Sequence, residues 1–215
     1  MIIGITGSFG SGKTTAANMF RRYGFKVIDA DKLYHENFYK NHPLRNKIKK
    51  EFGTSDRSKL KKIVFSDYSK LRKLNRLTHP VIIEMMKKEI QKIKDANKKI
   101  PLIKKTKKNK IQKNYYNKKF DGVNIAVDIP LLFEAKMERL FDKIIVVKCD
   151  KKSQIKRILS KNKKYTKKEV EQIIKSQMPL KGKIKKADFV INNNNIIKNT
   201  ENQIKNIVDS LQQKP

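Results

Sequence analysis

The residues with the clearest chemical potential lie near the start of the chain, in the stretch GSFGSGKTT at 7–15. They match the pattern G-x-x-x-x-G-K-[ST], in which glycines let backbone N–H groups curl around phosphate oxygens. A helix beginning near Lys13 would add the positive end of its dipole. We predict a nucleoside triphosphate site, with Lys13 on the β- and γ-phosphates and Thr14 on Mg²⁺. The predicted nucleotide-binding residues here are Gly7, Gly10, Ser11, Gly12, Lys13, Thr14 and Thr15.

Three aspartates follow apolar runs, and two of them could act on the second reactant. Asp29 and Asp31 come after the run at 26–28, and they would face the same way if the chain stayed extended. Either carboxylate could orient a hydroxyl towards the γ-phosphate, or cap the next helix. Asp128 ends a later run and precedes Pro130. A carboxylate there could hold a magnesium-bound water beside the phosphate loop, or stabilise a turn.

Arg157 and Lys161 lie four residues apart in a predicted helix, so both project from one face. With Lys163 and Lys164 they could form a mobile lid that closes positive charge over a transferring phosphoryl group. Excluding water there would strengthen each electrostatic contact.

The remaining reactive side chains exclude other chemistries. The single cysteine, Cys149, cannot form an internal disulfide, and His35, His42 and His79 do not have the spacing of metal ligands. No run of apolar residues is long enough to span a membrane, and no secretory signal is predicted. We therefore expect a cytoplasmic protein without a membrane partner.

The chain carries 53 Lys+Arg against 20 Asp+Glu, a formal net charge of +33. Polycations gain affinity for nucleic acids by releasing counterions. Because the lysines are spread along the chain, we favour a compositional bias over nucleic-acid binding. Residues 94–119 hold eleven lysines and one acidic residue, Asp95, without helical or strand periodicity. They predict an exposed insertion, and a nucleic-acid or acidic partner is the alternative for this segment.

Short β-branched runs alternate with helical periodicity, which predicts a parallel sheet covered by helices. Thr166 and Glu169 fit a capping box at the start of one helix. The region 32–93 lies between the second and third strands and reads as an inserted helical subdomain. We predict strands at 2–5, 26–28, 123–127, 144–147 and 189–191, and helices at 14–23, 71–94, 153–160, 166–177 and 200–211.

Several classes of nucleotide-binding protein do not fit. The guanine-binding motif N-K-x-D is missing, since NKKY at 162–165 lacks the aspartate. An ATPase motor would need a longer chain than 215 residues. A kinase acting on a small metabolite remains.

The motifs together resemble the dephospho-CoA kinase family. The matching stretches, in the family's order, are GITGSFGSGKTTAANMF, GFKVIDADKL, IVFSD, LTHPVI, VDIPLLFEA, QIKRIL, SQM and ADFVINN, from residue 3 to about 193. The phosphate loop is generic, whereas D-A-D, H-P and D-x-P-L-L-F-E in combination are specific. The resemblance implies ATP-dependent phosphorylation of the ribose 3′-hydroxyl of dephospho-CoA, with Mg²⁺, giving coenzyme A and ADP.

The resemblance also implies an α/β fold: a three-layer P-loop kinase core with a five-stranded parallel sheet, a helical substrate-binding insertion and a lid. The expected division is a core at 1–31 and 121–215, a lid at about 153–178, a helical subdomain at 32–93 and a lysine-rich insertion at 94–120.

The resemblance assigns roles to individual residues. Asp31 is similar in position to the family's catalytic acid, and His79 with Pro80 lies in the substrate-binding region, where packing or hydrogen bonding is favoured for His79. Thr6 is placed with them on the substrate side, and Asn193 is a candidate contact for the adenine base. The expected catalytic residues are Lys13, Asp31, Arg157 and Lys161, and the expected metal residues are Thr14 and Asp128.

Two features depart from the family pattern. Lys161 stands where the family commonly has a lid arginine, so a point charge replaces a bidentate fork. The lysine-rich segment lies where family members pass quickly to the next strand. Two alternatives stay open: another small-metabolite or nucleoside monophosphate kinase, and a nucleotide-regulated nucleic-acid-binding protein. The sequence does not determine the oligomeric state.

Overall fold

Five short parallel strands form the centre of the protein. The computed structural model describes residues 1–38, 43–98, 122–161, 165–194 and 196–212. The five-stranded parallel sheet predicted from the sequence is confirmed, with every strand end within two residues of its predicted position. The strands are β1 (Ile2–Gly7), β2 (Lys26–Asp29), β3 (Ile125–Asp128), β4 (Lys143–Lys148) and β5 (Phe189–Asn192).

The strand order is β2-β3-β1-β4-β5, so β1 lies at the centre between β3 and β4. Ile5 of β1 pairs with Asp128 of β3, and Asp29 of β2 pairs with the same aspartate from the other side. The sheet therefore brings the phosphate loop and two aspartates to one edge, at the carboxyl ends of the strands. Ligands of open α/β sheets bind at this edge.

Helices cover both faces of the sheet. Ala16 and Ala17 of α1 pack with Ile204 and Val208 of α9 on one face. Met86 of α5 belongs to the core on the opposite face. The helices are α1 (Lys13–Met19), α2 (Ala30–Phe38), α3 (Pro43–Phe52), α4 (Arg57–Phe65), α5 (Tyr68–Lys98), α6 (Lys151–Lys161), α7 (Lys167–Lys175), α8 (Leu180–Lys185) and α9 (Ile197–Gln212).

Helices α2 to α5 lie between β2 and β3 and include a small core of their own. Leu44 and Ile48 of α3 are buried there against partly buried side chains of α4 and α5. This arrangement fits the predicted helical insertion, although the division of the chain into core, subdomain, insertion and lid stays a prediction.

Helix α5 is longer than its sequence periodicity predicts. It runs for 31 residues and includes Lys94 to Lys98, which we had expected to belong to the exposed lysine-rich segment. Pro80 lies inside this helix, where its ring removes one backbone hydrogen bond. The rest of that segment, from residue 99 to 121, lies outside the described residues.

Helix α7 begins with the local side-chain pattern predicted from the sequence. The capping box at the start of α7 is confirmed: the Thr166 hydroxyl accepts from the Glu169 N–H, and the Glu169 carboxylate accepts from the Thr166 N–H. Within the described ranges, no helix has an apolar stretch long enough to cross a membrane.

Candidate functional site

The phosphate loop takes a conformation that only glycine allows at key positions. Gly10 and Gly12 have φ angles of 81° and 87°, in the left-handed region, and Gly12 immediately precedes α1. A Cβ at Gly12 would collide with the Asn193 Nδ2, and one at Gly7 would collide with the Val147 carbonyl oxygen. Ser11 is buried, and Thr15 is exposed on the first turn of α1. The loop is therefore held in shape by the strands and side chains behind it.

Two side chains from other parts of the chain, Asn193 and Arg157, support the backbone of this loop. Asn193 donates its Nδ2 to the Ser11 carbonyl oxygen at 2.8 Å, and its Oδ1 accepts from the Thr200 hydroxyl at 2.9 Å. The Arg157 Nη2 donates to the Asn193 carbonyl oxygen at 2.7 Å. Both ends of the Asn193 amide are thus engaged within the protein, and Arg157 reaches the base of the loop.

Lys13, Thr14 and Asp128 meet at the mouth of the loop. The Thr14 hydroxyl donates to the Asp128 Oδ2 at 2.5 Å, and the Lys13 Nζ lies 3.8 Å from the Asp128 Oδ1. Burial raises the pKa of Asp128, while Lys13 and Thr14 oppose this shift. The buried Oδ1 has no hydrogen-bond partner among the described residues. A hydroxyl and a buried carboxylate are oxygen ligands of the kind that Mg²⁺ prefers.

This pair alone would not make a metal cage. Within the described ranges, the His, Cys, Asp and Glu side chains form no cluster of three able to hold a metal ion. Magnesium sites in nucleotide enzymes commonly use one or two protein ligands and the phosphates of the substrate. The residues present fit a magnesium ion that arrives with the nucleotide.

Asp29 and Asp31 do not project from an extended strand, because α2 begins at Ala30, between them. The sequence expectation that both face the same way fails for this reason. Asp29 caps the helix: its Oδ1 accepts from the Lys32 N–H at 2.9 Å. Asp31 lies in the first turn of α2 with its side chain exposed, and it contributes to the adjoining cavity. Both carboxylates also act electrostatically on Asp128 and raise its pKa further.

A cavity of about 350 Å³ lies beside the phosphate loop. It lies between the helical insertion and α7, and its polar residues include Asp31, Glu134 and Gln177. Two cationic side chains, Arg57 and Lys61, also line it. Its apolar side chains from α4 and α5 are Leu60, Val64, Phe65, Leu71, Leu74 and Ile82. The cavity suits a ligand with a long apolar part and a polar end near the loop.

The other predicted substrate residues lie around this cavity without lining it. His79 is half-buried in α5, its Nε2 has no hydrogen-bond partner among the described residues, and burial lowers its pKa. Its neighbour Thr78 lines the cavity, whereas Pro80 is exposed. Thr6 is fully buried, and its hydroxyl donates to the Pro130 carbonyl oxygen at 3.2 Å. Thr6 therefore contacts the cavity wall at Pro130, and His79 is the chain neighbour of the lining residue Thr78.

The two predicted lid cations that the structure describes, Arg157 and Lys161, have different surroundings. The Arg157 Nη1 donates to the Ser11 carbonyl oxygen of the phosphate loop at 3.5 Å, whereas Lys161 is exposed at the last residue of α6. Lys163 and Lys164 lie outside the described residues. Tyr165, next along the chain, packs its ring against Phe9 of the phosphate loop at 5.6 Å between ring centroids. The Lys61 Nζ lies 3.3 Å from the centroid of the same Tyr165 ring, so Tyr165 contacts both the phosphate loop and α4.

Sequence reasoning missed three residues that join the parts of the site. The Gln177 Oε1 accepts from the Phe9 N–H at 2.8 Å and so links the end of the lid region to the phosphate loop. Lys183 is fully buried and lies 2.9 Å from the Glu134 Oε1. Gln177 and Glu134 stand in the quoted stretches SQM and DIPLLFE, which were their available signal. Lys183 had none, because a buried lysine looks like any other lysine in so basic a chain.

Two comparisons with known proteins indicate the same family over most of the chain. A family model described as dephospho-CoA kinase matches residues 1–112 and 97–199. A dephospho-CoA kinase from Carboxydothermus hydrogenoformans is 35% identical over 216 residues, covering 96% of this chain and 92% of that protein.

Solved structures are similar over the same range. A dephospho-CoA kinase from Campylobacter jejuni has a TM-score of 0.61 and 26% identity, covering 98% of this chain and 96% of that one. A protein from Thermus thermophilus, TT1252, has a TM-score of 0.71 and 25% identity, covering 99% and 98% of the two chains. The predicted α/β fold class is confirmed by these likenesses and by the sheet described above.

Proposed function

The chain belongs to the dephospho-CoA kinase family, and we propose that it transfers the γ-phosphoryl group of ATP to the ribose 3′-hydroxyl of dephospho-CoA. The products are coenzyme A and ADP. The observation that carries this proposal is the cavity beside the phosphate loop, which combines an apolar wall with the carboxylate of Asp31. Dephospho-CoA has a matching shape: a long, weakly polar arm joined through a diphosphate to a nucleoside.

The donor half of the site consists of the phosphate loop and its braces. Backbone N–H groups of the loop and the N-terminus of α1 surround the phosphates, and Lys13 neutralises charge on the β- and γ-phosphates. Asn193 and Arg157 hold the loop in this shape from behind, through the Ser11 and Asn193 carbonyl oxygens. A rigid loop provides its N–H groups without reorganisation when negative charge spreads over the transferring group.

We assign Thr14 and Asp128 to magnesium, with the Thr14 hydroxyl as a direct ligand and the buried carboxylate supporting the ion or its water. The ion would neutralise phosphate charge during the transfer. Before the nucleotide arrives, the Thr14 hydroxyl donates to the Oδ2 of this carboxylate, and the Lys13 ammonium lies 3.8 Å from its Oδ1.

The acceptor half consists of the cavity and Asp31. Because Asp29 already caps α2, Asp31 is the carboxylate of this pair that remains available to the 3′-hydroxyl. It accepts the hydroxyl proton, or orients the hydroxyl for in-line attack. Arg57 and Lys61 provide positive charge for the acceptor's diphosphate, and the apolar side chains of α4 and α5 contact its long arm.

We also keep Lys161 as a residue that closes over the phosphoryl group when the lid moves. The Tyr165 ring lies between Phe9 of the donor half and Lys61 of the acceptor half. Through this ring the proposed lid contacts both halves of the site. Arg157 serves the same reaction at the base of the loop, where its Nη1 donates to the Ser11 carbonyl oxygen.

A substrate panel tests the proposed function. Purified protein is incubated with ATP, Mg²⁺ and one acceptor at a time, and the products are separated by chromatography. We expect coenzyme A and ADP to form from dephospho-CoA. Phosphorylation of AMP, CMP or a free nucleoside with dephospho-CoA inert would overturn the proposal. We place the reaction in the cytoplasm, where fractionation of cells should recover the activity.

A further inference from the structure

Glu134, at the end of the DIPLLFE stretch, has two carboxylate oxygens in very different surroundings. Its Oε1 lies 2.9 Å from the Lys183 Nζ and accepts from the Met178 N–H, also at 2.9 Å. Its Oε2 is buried and has no hydrogen-bond partner among the described residues. Leaving a buried oxygen of a charged group without a hydrogen bond is unfavourable, because the lost hydration is not replaced. An oxygen in this state is suited to accept a hydrogen bond from a ligand.

The Glu134 carboxylate cannot easily turn this oxygen away. Lys183 is fully buried and also donates to the Pro130 carbonyl oxygen at 3.3 Å, the same oxygen that accepts from Thr6. Burial lowers the pKa of Lys183, and the Glu134 carboxylate opposes this shift. Separating the pair would leave an uncompensated charge in the interior. Lys183 and the Met178 N–H therefore fix one oxygen and, with it, the direction of the other.

The contacts of Glu134 indicate which end of the cavity it lines. Its side chain lines the cavity together with Asp31. Its partner Lys183 donates to the Pro130 carbonyl oxygen, which also accepts from Thr6, the residue directly before the phosphate loop. Met178, whose N–H donates to Glu134, follows Gln177, the side chain that accepts from the N–H of Phe9 in the loop. Glu134 is therefore close to the end of the cavity that adjoins the donor. The reacting end of the acceptor, its nucleoside, must lie there.

We propose that Glu134 binds the acceptor, with its Oε2 accepting a hydrogen bond from a donor group on the acceptor's nucleoside. The inference rests on the proposed function and names a residue that selects the substrate for it. An ionised carboxylate only accepts hydrogen bonds, so its partner must be a donor. The nucleoside of dephospho-CoA has two candidates besides the reacting hydroxyl: the ribose 2′-hydroxyl and the adenine 6-amino group. Lys183 is the positioning residue that holds Glu134.

The test is the variant Glu134→Gln, with Glu138→Gln as its matched control. Glutamine can keep an oxygen towards Lys183 and Met178, but it places an NH₂ donor where the Oε2 stood. We expect Kd and KM for dephospho-CoA to rise roughly 10-fold or more, because a hydrogen bond to a charged group is lost. KM for ATP should change far less. Glu138 pairs with Lys186 near the surface, and its variant should leave all these constants as in the wild type.

Two acceptor analogues identify the donor group, using the wild-type protein as well as the variant. One is dephospho-CoA with 2′-deoxyribose, and the other has purine in place of adenine. The analogue that lacks the contacted donor should bind the wild type roughly 10-fold more weakly, and bind Glu134→Gln no more weakly than dephospho-CoA does. Calorimetry measures the binding, and the wild-type half of this arm does not depend on how well the variant folds.

Three results would overturn the inference. One is an unchanged Kd for dephospho-CoA in Glu134→Gln. Another is an equal loss of ATP and dephospho-CoA binding together with a lower Tm, which would show a purely structural role. The third is normal binding of both analogues by the wild type. Failure of the proposed function itself would look different, because the wild type would then not phosphorylate dephospho-CoA at all.

Discussion

Asp29 and Asp31 are two residues apart, but the structure gives their carboxylates different surroundings. Asp29 ends β2 and holds the first turn of α2 through the Lys32 N–H. Asp31 lies two residues further on, in the first turn of α2, exposed and beside the cavity. The start of α2 at Ala30 decides which aspartate caps the helix and which one remains available to the acceptor. Substitutions of these two residues therefore test the proposed chemistry directly.

We expect Asp31→Asn to lower kcat by roughly 10²–10⁴-fold, the usual loss on removing a general base. The Kd for ATP should stay close to the wild-type value, since Asp31 lies on the acceptor side. Steady-state kinetics and calorimetry give both quantities. Asp29→Asn is the matched control, because asparagine still caps a helix. Equal kcat values for Asp31→Asn and the wild type would remove Asp31 from the mechanism.

The burial of His79 predicts how the stability of the protein depends on pH. Burial lowers its pKa below the ordinary value of 6.5, so the folded protein resists protonating it. The unfolded chain binds that proton more readily, and stability is therefore lost as the pH falls below about 6.5. We expect Tm to drop on acidification in the wild type and to drop less steeply in His79→Gln. Parallel Tm curves for the two proteins between pH 7 and 5 would contradict this origin of the slope.

At the scale of elements, the phosphate loop depends on backbone geometry and on what lies behind it. Gly12 and Gly24 have nearly the same left-handed φ, 87° and 83°. A Cβ at Gly12 would meet the Asn193 amide, whereas one at Gly24 would meet nothing within 4 Å. The two glycines therefore separate the effect of backbone strain from the effect of the loop's brace.

We expect Gly12→Ala to weaken ATP binding at least 10-fold, because both the φ angle and the Asn193 contact must change. Gly24→Ala should cost roughly 1–2 kcal/mol of stability, the strain of a left-handed non-glycine residue. Its Kd for ATP should not change. Calorimetric titration with ATP and denaturant unfolding measure the two effects. Similar losses of ATP affinity in both variants would show that the Asn193 brace is unimportant.

At the scale of the whole molecule, the net charge of +33 acts on two polyanionic substrates. A strongly charged surface raises association rates by steering, and salt screens the effect. We expect kcat/KM for both substrates to fall as ionic strength rises from about 0.05 to 0.5 M, where the Debye length shortens severalfold. The kcat value should change little. Two salts with different anions, at constant free Mg²⁺, control for specific ion binding, and a flat profile in both would exclude steering.

The sequence by itself determined the features that depend on neighbouring residues. The phosphate loop is a contiguous pattern, the capping box joins Thr166 to Glu169 three residues away, and each strand is a short apolar run. Local periodicity also placed most helices, although it ended α5 four residues early. These features follow from backbone conformation and side-chain spacing along the chain, which any reader of the sequence can measure.

Only the tertiary structure decided which distant segments of the chain contact one another and form the site. Residue spacing offered no means of pairing Lys183 with Glu134, of bracing Ser11 with Asn193, or of lining one cavity with both Phe9 and Gln177. Nor did it show that Arg157 contacts the phosphate loop while Lys161 stays exposed. Such contacts arise when helices pack onto the sheet, because packing brings together residues whose separation in the chain carries no information about their separation in space.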